Sequence, residues 1–189
     1  YKIGDVYSMI VYGLNIDEFE YAYRVDGPYC PEKGLLFDKN NVLLDPYAKA
    51  VAGQRTWGIR WDHTYHARVV KDTFDWGDVP QSKKELCDLI IYELHVRNFT
   101  HHPSSGVQHR GTFAGLMEKI PYLKELGINA VELMPIFEFD ETMNARTVDG
   151  TQLLECWGYN TVSFFAPNSS YAAANEHNQE GTELKTLIK

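Results

Sequence analysis

The order of apolar and polar positions divides the chain into two regions of different character. Near the start, two short runs rich in β-branched and aromatic residues, 6–12 and 19–25, each end at turn residues. This pattern is typical of strands in a hairpin or at the edge of a β-sandwich. Residues 26–86 hold many Gly, Pro, Asn and Asp and few periodic stretches, so we expect an ordered connector. Within it, residues 45–50 predict a single helical turn with Pro46 at its first position.

The second region opens with a nearly continuous apolar run over 89–96, which is typical of a strand buried on both faces of a parallel sheet. After a loop rich in His, Ser and Gly, residues 112–126 carry apolar side chains on one helical face and end at Gly127. Pro121 predicts a kink, or the true start of the helix, inside this segment. Residues 128–134 predict a second buried strand.

A strand, a helix and a strand within about 45 residues predict a βαβ unit with a right-handed parallel crossover. The next segment, 136–180, is long and irregular, and a helix is expected to begin after it with Thr182 as its N-cap. In an α/β barrel, a long excursion after a strand lies on the catalytic face. Periodicity therefore indicates the end of a sandwich followed by the start of a barrel or an open sheet, and it leaves those two open.

Composition and charge exclude some function classes. The net charge of −8 argues against a nucleic-acid partner, because phosphate contacts need clustered Lys and Arg. No stretch approaches the ~20 apolar residues of a membrane span. The three cysteines, Cys30, Cys87 and Cys156, have no metal-ligand spacing and are expected to be reduced thiols. The 12 Tyr, 9 Phe and 4 Trp suit a β-rich core, which composition favours, or flat faces that stack on sugar rings.

Five motifs follow one another along the chain. They are 23–28 with 43–50, then 91–100, then 111–115 with 122–128, then 130–135, and last 157–160 with 164–167 and 171–172. They resemble motifs of isoamylase-type debranching enzymes of the α-amylase superfamily. In the same order, they resemble the passage from a glycogen-binding sandwich into the barrel, the first barrel strand, the first helix, the second strand and the loop after it. One such motif would be weak evidence, but their order and spacing along nearly the whole chain make the resemblance specific.

The resemblance implies a mixed fold in three parts. Residues 1–30 would be the end of an N-terminal β-sandwich like a glycogen-binding module, 31–86 a connector, and 87–189 the first βαβ part of an incomplete (β/α)8 TIM barrel. The chain is then expected to be an N-terminal fragment, cut at both ends. In the family the catalytic carboxylates lie on later strands, beyond Lys189 here, so no catalytic residue is named and the fragment is expected to be inactive alone.

The implied activity is retaining hydrolysis of α-1,6 branch linkages, with an α-glucan such as glycogen or amylopectin as the partner and no cofactor. A branching enzyme and a trehalose-releasing hydrolase remain alternatives within the superfamily. A non-catalytic α-glucan-binding protein is the alternative from another class. The cytoplasm is the expected location, and the plastid is the alternative.

The expected substrate-binding residues are Tyr159, Trp157 and Asn160, which belong to the Trp-Gly-Tyr-Asn motif. The resemblance implies that Tyr159 is a platform for the sugar at the cleavage point. A phenol ring suits this role, because its face packs on the apolar face of a pyranose while its hydroxyl can still form a hydrogen bond. Trp157 is expected to support the loop, and relatives often carry an aromatic residue at the position of Cys156.

Other polar residues have simpler interpretations. Glu93 and His95 are expected to form a hydrogen-bonded core pair, because they lie on one face of the first strand. A second group is expected to face solvent, and it consists of His101, His102 and His109. Clustered carboxylates suit Ca²⁺, but a solvated acidic loop is the favoured interpretation of Glu138, Asp140 and Glu141.

Overall fold

The computed structural model describes residues 1–54, 56–59, 64–80 and 83–189. No helix within these ranges is both long and apolar enough to cross a membrane. The elements are four α-helices, thirteen short strands and four 3-10 turns, counted over the described ranges alone. The 3-10 turns lie at Pro31–Lys33, Leu86–Asp88, Pro103–Ser105 and Ser169–Tyr171.

The first residues form short strands with exposed side chains. Strand β1 (Lys2–Ile3) pairs antiparallel with β2 (Val6–Tyr7), and β3 (Glu20–Tyr21) follows. The predicted strand over 6–12 is therefore only two residues long, and Ile10 is 76% exposed. The β-sandwich over residues 1–30 stays a prediction.

The connector is built from more strand than its composition suggested. It contains β4 (Tyr29–Cys30), which pairs with β5 (Leu35–Leu36), and also β6 (Val51–Ala52) and β7 (His66–Arg68). Strands β3, β7 and β6 form one antiparallel sheet in that order. The Arg68 guanidinium donates to the Glu20 carboxylate at 2.8 and 3.0 Å, which joins the connector to the first residues.

The predicted helical turn over 45–50 is wrong. The Asp45 carboxylate accepts a hydrogen bond from the backbone N–H of Tyr47 at 2.9 Å, and the Ala48 N–H donates to the Asp45 carbonyl at 3.1 Å. These bonds close an Asx-type turn, and a helix does not propagate from it. Ala48 then packs with Val51, Ala67 and Ala166 in a small core cluster that fixes the connector against the later part of the chain.

The predicted βαβ unit is confirmed. Strand β8 (Ile91–Leu94) lies parallel to β9 (Ala130–Leu133), with Ile91 opposite Ala130 and Leu94 opposite Leu133. The helical segment between them is divided, with Pro121 in the first turn of the later helix, as its missing N–H allows. The two helices of this segment are α2 (Phe113–Met117) and α3 (Ile120–Glu125). Both come after α1 (Val96–His101) in the chain.

Two expectations for this unit are wrong. A helix, α1, follows β8 directly in place of a loop, because the His95 side chain caps its first turn. The expected burial of β8 and β9 on both faces of the sheet is also wrong, because Ile91 is 50% exposed and Val131 is 42% exposed. Within the described ranges this sheet has two strands, which leaves these side chains exposed.

The segment 136–180 is more regular than predicted. Strand β10 (Phe137–Phe139) pairs antiparallel with β13 (Thr161–Pro167), and a hairpin of β11 (Arg146–Val148) and β12 (Thr151–Leu153) lies between them in sequence. The last helix, α4 (Gln179–Ile188), begins after Asn178, so Thr182 lies inside the helix and is not its N-cap.

The main core joins β8, α2, α3 and the 136–180 segment. Its buried members are Leu94, Val96, Phe113, Leu116, Leu123, Phe139 and Tyr171. Phe139 and Tyr171 belong to the 136–180 segment, so this segment packs against the strand β8.

Candidate substrate site

The site lies at the carboxyl ends of β8 and β9. Leu94 and Leu133 are register partners and the last residues of their strands, so the two strands end at the same level. The N–H of Met134 donates to the Leu94 carbonyl at 2.9 Å, which continues the pairing one residue further. In α/β barrels this edge carries the substrate site.

The Trp-Gly-Tyr-Asn loop presents two aromatic rings to solvent. Tyr159 is 68% exposed and Trp157 is 55% exposed. Asn160 is exposed, and its amide lies 3.1 Å from the sulfur of Met143. The loop thus has the open flat faces that stacking on a sugar ring requires, although its role in binding stays a prediction.

The backbone of this loop is fixed by hydrogen bonds to one carboxylate. Glu155 accepts from the N–H of Trp157 at 2.9 Å and from the N–H of Gly158 at 3.1 and 3.3 Å. Gly158 has φ of +83°, which favours glycine. A Cβ at this position would lie 2.9 Å from the ring of Phe139, so the loop sits directly on the main core.

His95 ties this loop to the end of β8. Its Nδ1 accepts hydrogen bonds from the N–H groups of Arg97 and Asn98 at 3.1 and 3.2 Å, so Nε2 carries the proton. Nε2–H donates to the Cys156 carbonyl and lies 3.2 Å from the Tyr171 hydroxyl. Burial lowers the pKa of His95, and the Arg97 charge also lowers it, while the hydrogen bond to the Cys156 carbonyl opposes the shift. The predicted pair of His95 with Glu93 is wrong, because Glu93 is exposed on β8 and His95 bonds elsewhere.

A stack of rings beneath the loop was not predicted. The ring of Trp57 lies parallel to that of Tyr171, with centroids 6.2 Å apart, and the Arg97 guanidinium lies 4.5 Å from the Trp57 centroid. Tyr171 is fully buried and also meets Phe113 and Phe139 edge to face. Arg97 belongs to the motif that resembles the first barrel strand. Its place in that motif was the one feature of the sequence that pointed to the contact with Trp57.

The acidic residues after β9 are buried, so the expected solvated loop is wrong. Glu138 and Glu141 are 0% exposed and Asp140 is 2% exposed. Glu141 accepts from the Gly58 N–H at 2.6 Å and from the Gln54 amide at 2.7 Å. These donors lie far away in sequence, and no local pattern shows them.

Each carboxylate in this group has its own protein donors. Glu138 accepts from the Ser169 N–H at 2.7 Å, and Asp140 accepts from the N–H and hydroxyl of Thr142 at 2.9 and 2.6 Å. The described residues contain no group of three or more His, Cys, Asp or Glu that could hold a metal ion.

Burial changes the acidity of this group. It raises the pKa of Glu138 to about 8, against the lowering effect of the Ser169 hydrogen bonds, and the charges of Glu141 and Glu180 raise it further. Burial also raises the pKa of Glu141, while the Gly58 N–H opposes the shift.

Fold and site together define an α/β protein in which two parallel strands end beside a loop with two exposed aromatic rings. The sequence profile of the alpha amylase catalytic domain matches residues 72–179, more than half of the chain. The chain belongs to this family. Isoamylases that match the whole chain confirm the resemblance to isoamylase-type enzymes.

Chloroplastic isoamylase 3 of Oryza sativa subsp. japonica is 42% identical over all of this chain and 25% of its own length. Chloroplastic isoamylase 1 of Arabidopsis thaliana is 38% identical over the same shares. A glycogen operon protein GlgX homolog of Mycobacterium tuberculosis is 35% identical over 89% of this chain and 26% of its own length. The chain therefore spans about a quarter of the length of these relatives.

Solved structures give the same result for the fold. Pullulanase type I from Bacillus subtilis, complexed with maltose, matches with a TM-score of 0.59 and 28% identity over 80% of this chain and 22% of its own. Pullulanase from Anoxybacillus sp. LM18-11, complexed with maltotriose, matches with a TM-score of 0.57 and 31% identity over 78% of this chain and 21% of its own. A partial TIM barrel is thus shown.

Proposed function

We propose that this chain forms the first part of the catalytic barrel of a debranching enzyme that hydrolyses α-1,6-glucosidic linkages in glycogen or starch. The observation that carries the proposal is the exposed Tyr159 ring, held on a clamped loop at the carboxyl ends of the first two barrel strands. The names of the relatives, isoamylase and pullulanase, support the choice of linkage.

We propose that Tyr159 is the sugar platform and that Trp157 and Asn160 complete the binding loop. A pyranose that stacks on the Tyr159 ring would remove apolar area from water on both partners, and this favours binding. Gly158 and Glu155 hold the backbone before the sugar arrives, so little ordering entropy is lost on binding.

The domain boundaries are part of the proposal. Residues 1–30 would end a β-sandwich like a glycogen-binding module, 31–86 would connect it to the barrel, and 87–189 would begin the barrel. The break in character near residue 87, where the parallel strand β8 follows a region of short antiparallel strands, supports the last boundary.

Retention at the sugar carbon requires two carboxyl groups about 5 Å apart, one as nucleophile and one as acid. In the described part of the chain, the carboxylates near the loop already have structural partners. Glu155 holds the loop backbone, and Glu138 and Glu141 are buried. We therefore propose that the nucleophile and acid are supplied by later barrel strands and that these 189 residues alone do not hydrolyse glucans.

The test uses two proteins, the 189-residue chain and the complete polypeptide that contains it. The complete polypeptide is expected to release reducing ends from glycogen and pullulan but not from unbranched amylose, while the chain alone releases none. Release from amylose at a comparable rate would contradict the α-1,6 assignment. Glycogen binding by the complete polypeptide without any release would identify a non-catalytic glucan-binding protein.

A further inference from the structure

A cleft of about 640 Å³ lies beside the start of α2, outside the Trp-Gly-Tyr-Asn loop. One wall is the loop that follows α1, and the other is the short segment after Tyr171. Its lining includes His101, His102, His109, Arg110, Thr112 and Ala173.

The lining is rich in groups that carry or accept positive charge, in a chain whose net charge is −8. Within the described ranges, no carboxylate forms an ion pair with Arg110. The Nδ1 atom of His102 accepts from the Ser104 N–H at 3.2 Å and lies 2.8 Å from the Ser104 hydroxyl, so its Nε2–H is the remaining donor of that ring. An arginine and three imidazoles thus line one cleft.

The framework of the cleft is fixed by buried hydrogen bonds. Thr100 is fully buried; its hydroxyl accepts from the Gly111 N–H at 2.8 Å, and its carbonyl accepts from the Ser105 hydroxyl at 2.8 Å. The Thr112 hydroxyl donates to the His109 carbonyl at 2.7 Å. A loop tied at both ends in this way presents its side chains without a large ordering cost.

The charges in the cleft act on one another. Burial lowers the pKa of His101, and the neighbouring charges of Arg97, Arg110 and His102 lower it further. The Glu118 carboxylate accepts from the N–H groups of Gln108 and His109, which hold it at the backbone of the loop. An anion in the cleft would offset the repulsion among the cationic groups.

The Glu183 carboxylate binds the N–H groups of Ala173 and Ala174 at 2.9 to 3.1 Å. It is buried and has these backbone donors as partners. Neither Glu118 nor Glu183 forms a salt bridge with a side chain of the cleft in the described structure.

We propose that this cleft binds a phosphate group, whose source is either a sugar phosphate or the free phosphate ion. The guanidinium of Arg110 can donate two parallel hydrogen bonds to phosphate oxygens, and the imidazole N–H groups can reach the third oxygen. A carboxylate offers two oxygens and a single charge, and it would leave part of this donor set unused. The proposal does not depend on glucan hydrolysis, because the cleft and its donors are separate from Tyr159.

The test is calorimetric titration of the 189-residue chain with inorganic phosphate, glucose 6-phosphate and glucose. We expect binding of both phosphates and none of glucose. Tighter binding of glucose 6-phosphate would assign the source as a sugar phosphate, and equal binding would assign the free ion. Failure of both phosphates to bind, or binding of glucose with equal affinity, would overturn the proposal.

Charge-matched variants separate the cleft from the general surface. Arg110→Gln is expected to weaken phosphate binding about tenfold, because it removes a charge-assisted bidentate contact. Arg24→Gln removes the same charge at another exposed position and is expected to leave the affinity unchanged. Equal weakening by both variants would show non-specific attraction and would contradict the proposal.

The histidines give an independent readout. Sulfate does not titrate between pH 5.5 and 8, so a change in its affinity reports on the protein alone. We expect sulfate to bind more tightly at pH 5.5 than at pH 8, because a proton on the His101 ring adds positive charge to the cleft, and we expect the NMR titration of that ring to shift to higher pH when phosphate is bound. An unchanged His101 titration in saturating phosphate would place the anion elsewhere.

Discussion

The carboxylate of Glu155 accepts hydrogen bonds from the backbone N–H of Gly158 at 3.1 and 3.3 Å. The same carboxylate accepts from the N–H of Trp157 at 2.9 Å. The shape of the loop is therefore set by the protein itself, with the Tyr159 ring held outward before any sugar binds.

Removal of this acceptor should loosen the loop. Glu155→Ala is expected to lower the free energy of unfolding by about 1–3 kcal/mol, because two backbone donors lose their partner. The amide hydrogens of Trp157 and Gly158 should exchange faster than those of β9. Glu155→Gln keeps an acceptor oxygen and should retain most of the protection; equal exchange in both variants and in the parent would contradict the role given to Glu155.

The contact of Gly158 with the core can be separated from its backbone conformation. Gly158→Ala introduces a methyl group 2.9 Å from the Phe139 ring at φ of +83°, whereas Gly150→Ala meets nothing within 4 Å at φ of +77°. Gly150→Ala is expected to cost about 1 kcal/mol of stability from backbone strain, and Gly158→Ala about 1–3 kcal/mol more from overpacking. Equal losses in urea unfolding would show that the loop does not rest on Phe139.

The buried Glu138 should make stability depend on pH. Its pKa is about 8 in the folded chain against an ordinary value of 4.5. Between these values the unfolded chain releases a proton that the folded chain retains, so the free energy of unfolding falls as pH rises, by up to about 1.4 kcal/mol per pH unit. Below pH 4.5 and above pH 8 this group contributes no slope.

Glu138→Gln isolates that contribution, because the amide oxygen can still accept from Ser169. Urea unfolding at pH 5 and pH 7 should show a smaller loss of stability in the variant than in the parent chain. Glu141 has a raised pKa in both proteins and cancels in the difference. An equal change of stability with pH in the parent chain and in the variant would contradict a protonated Glu138.

The part of the fold that sequence predicts depends on local signals. Strands β8 and β9 are short apolar runs, and the division between α2 and α3 follows from Pro121, whose ring cannot sit inside a continuous helix. The exposed Trp-Gly-Tyr-Asn loop was likewise found from a contiguous motif. Helix α1 was missed because its start depends on the His95 side chain, which serves as an unusual N-cap.

The remaining errors concern contacts between distant segments. Glu138, Asp140 and Glu141 form a strongly polar sequence, yet they are buried because Gln54, Gly58 and Ser169 supply donors from 31 to 87 residues away. The stack of Trp57 on Tyr171 also joins the connector to the excursion. No periodicity encodes such contacts, since each depends on how the folded segments meet.

The measurement that tests the central claim most directly is hydrolysis of a branched glucan by Tyr159 variants of the complete polypeptide. Tyr159→Ala is expected to lower kcat/KM about tenfold to hundredfold, because the stacking face is lost, and Tyr159→Phe to lower it by less because the ring remains. Unfolding should be little affected, since Tyr159 is 68% exposed. A kcat/KM for Tyr159→Ala equal to that of the parent would contradict the account of this loop as the sugar platform.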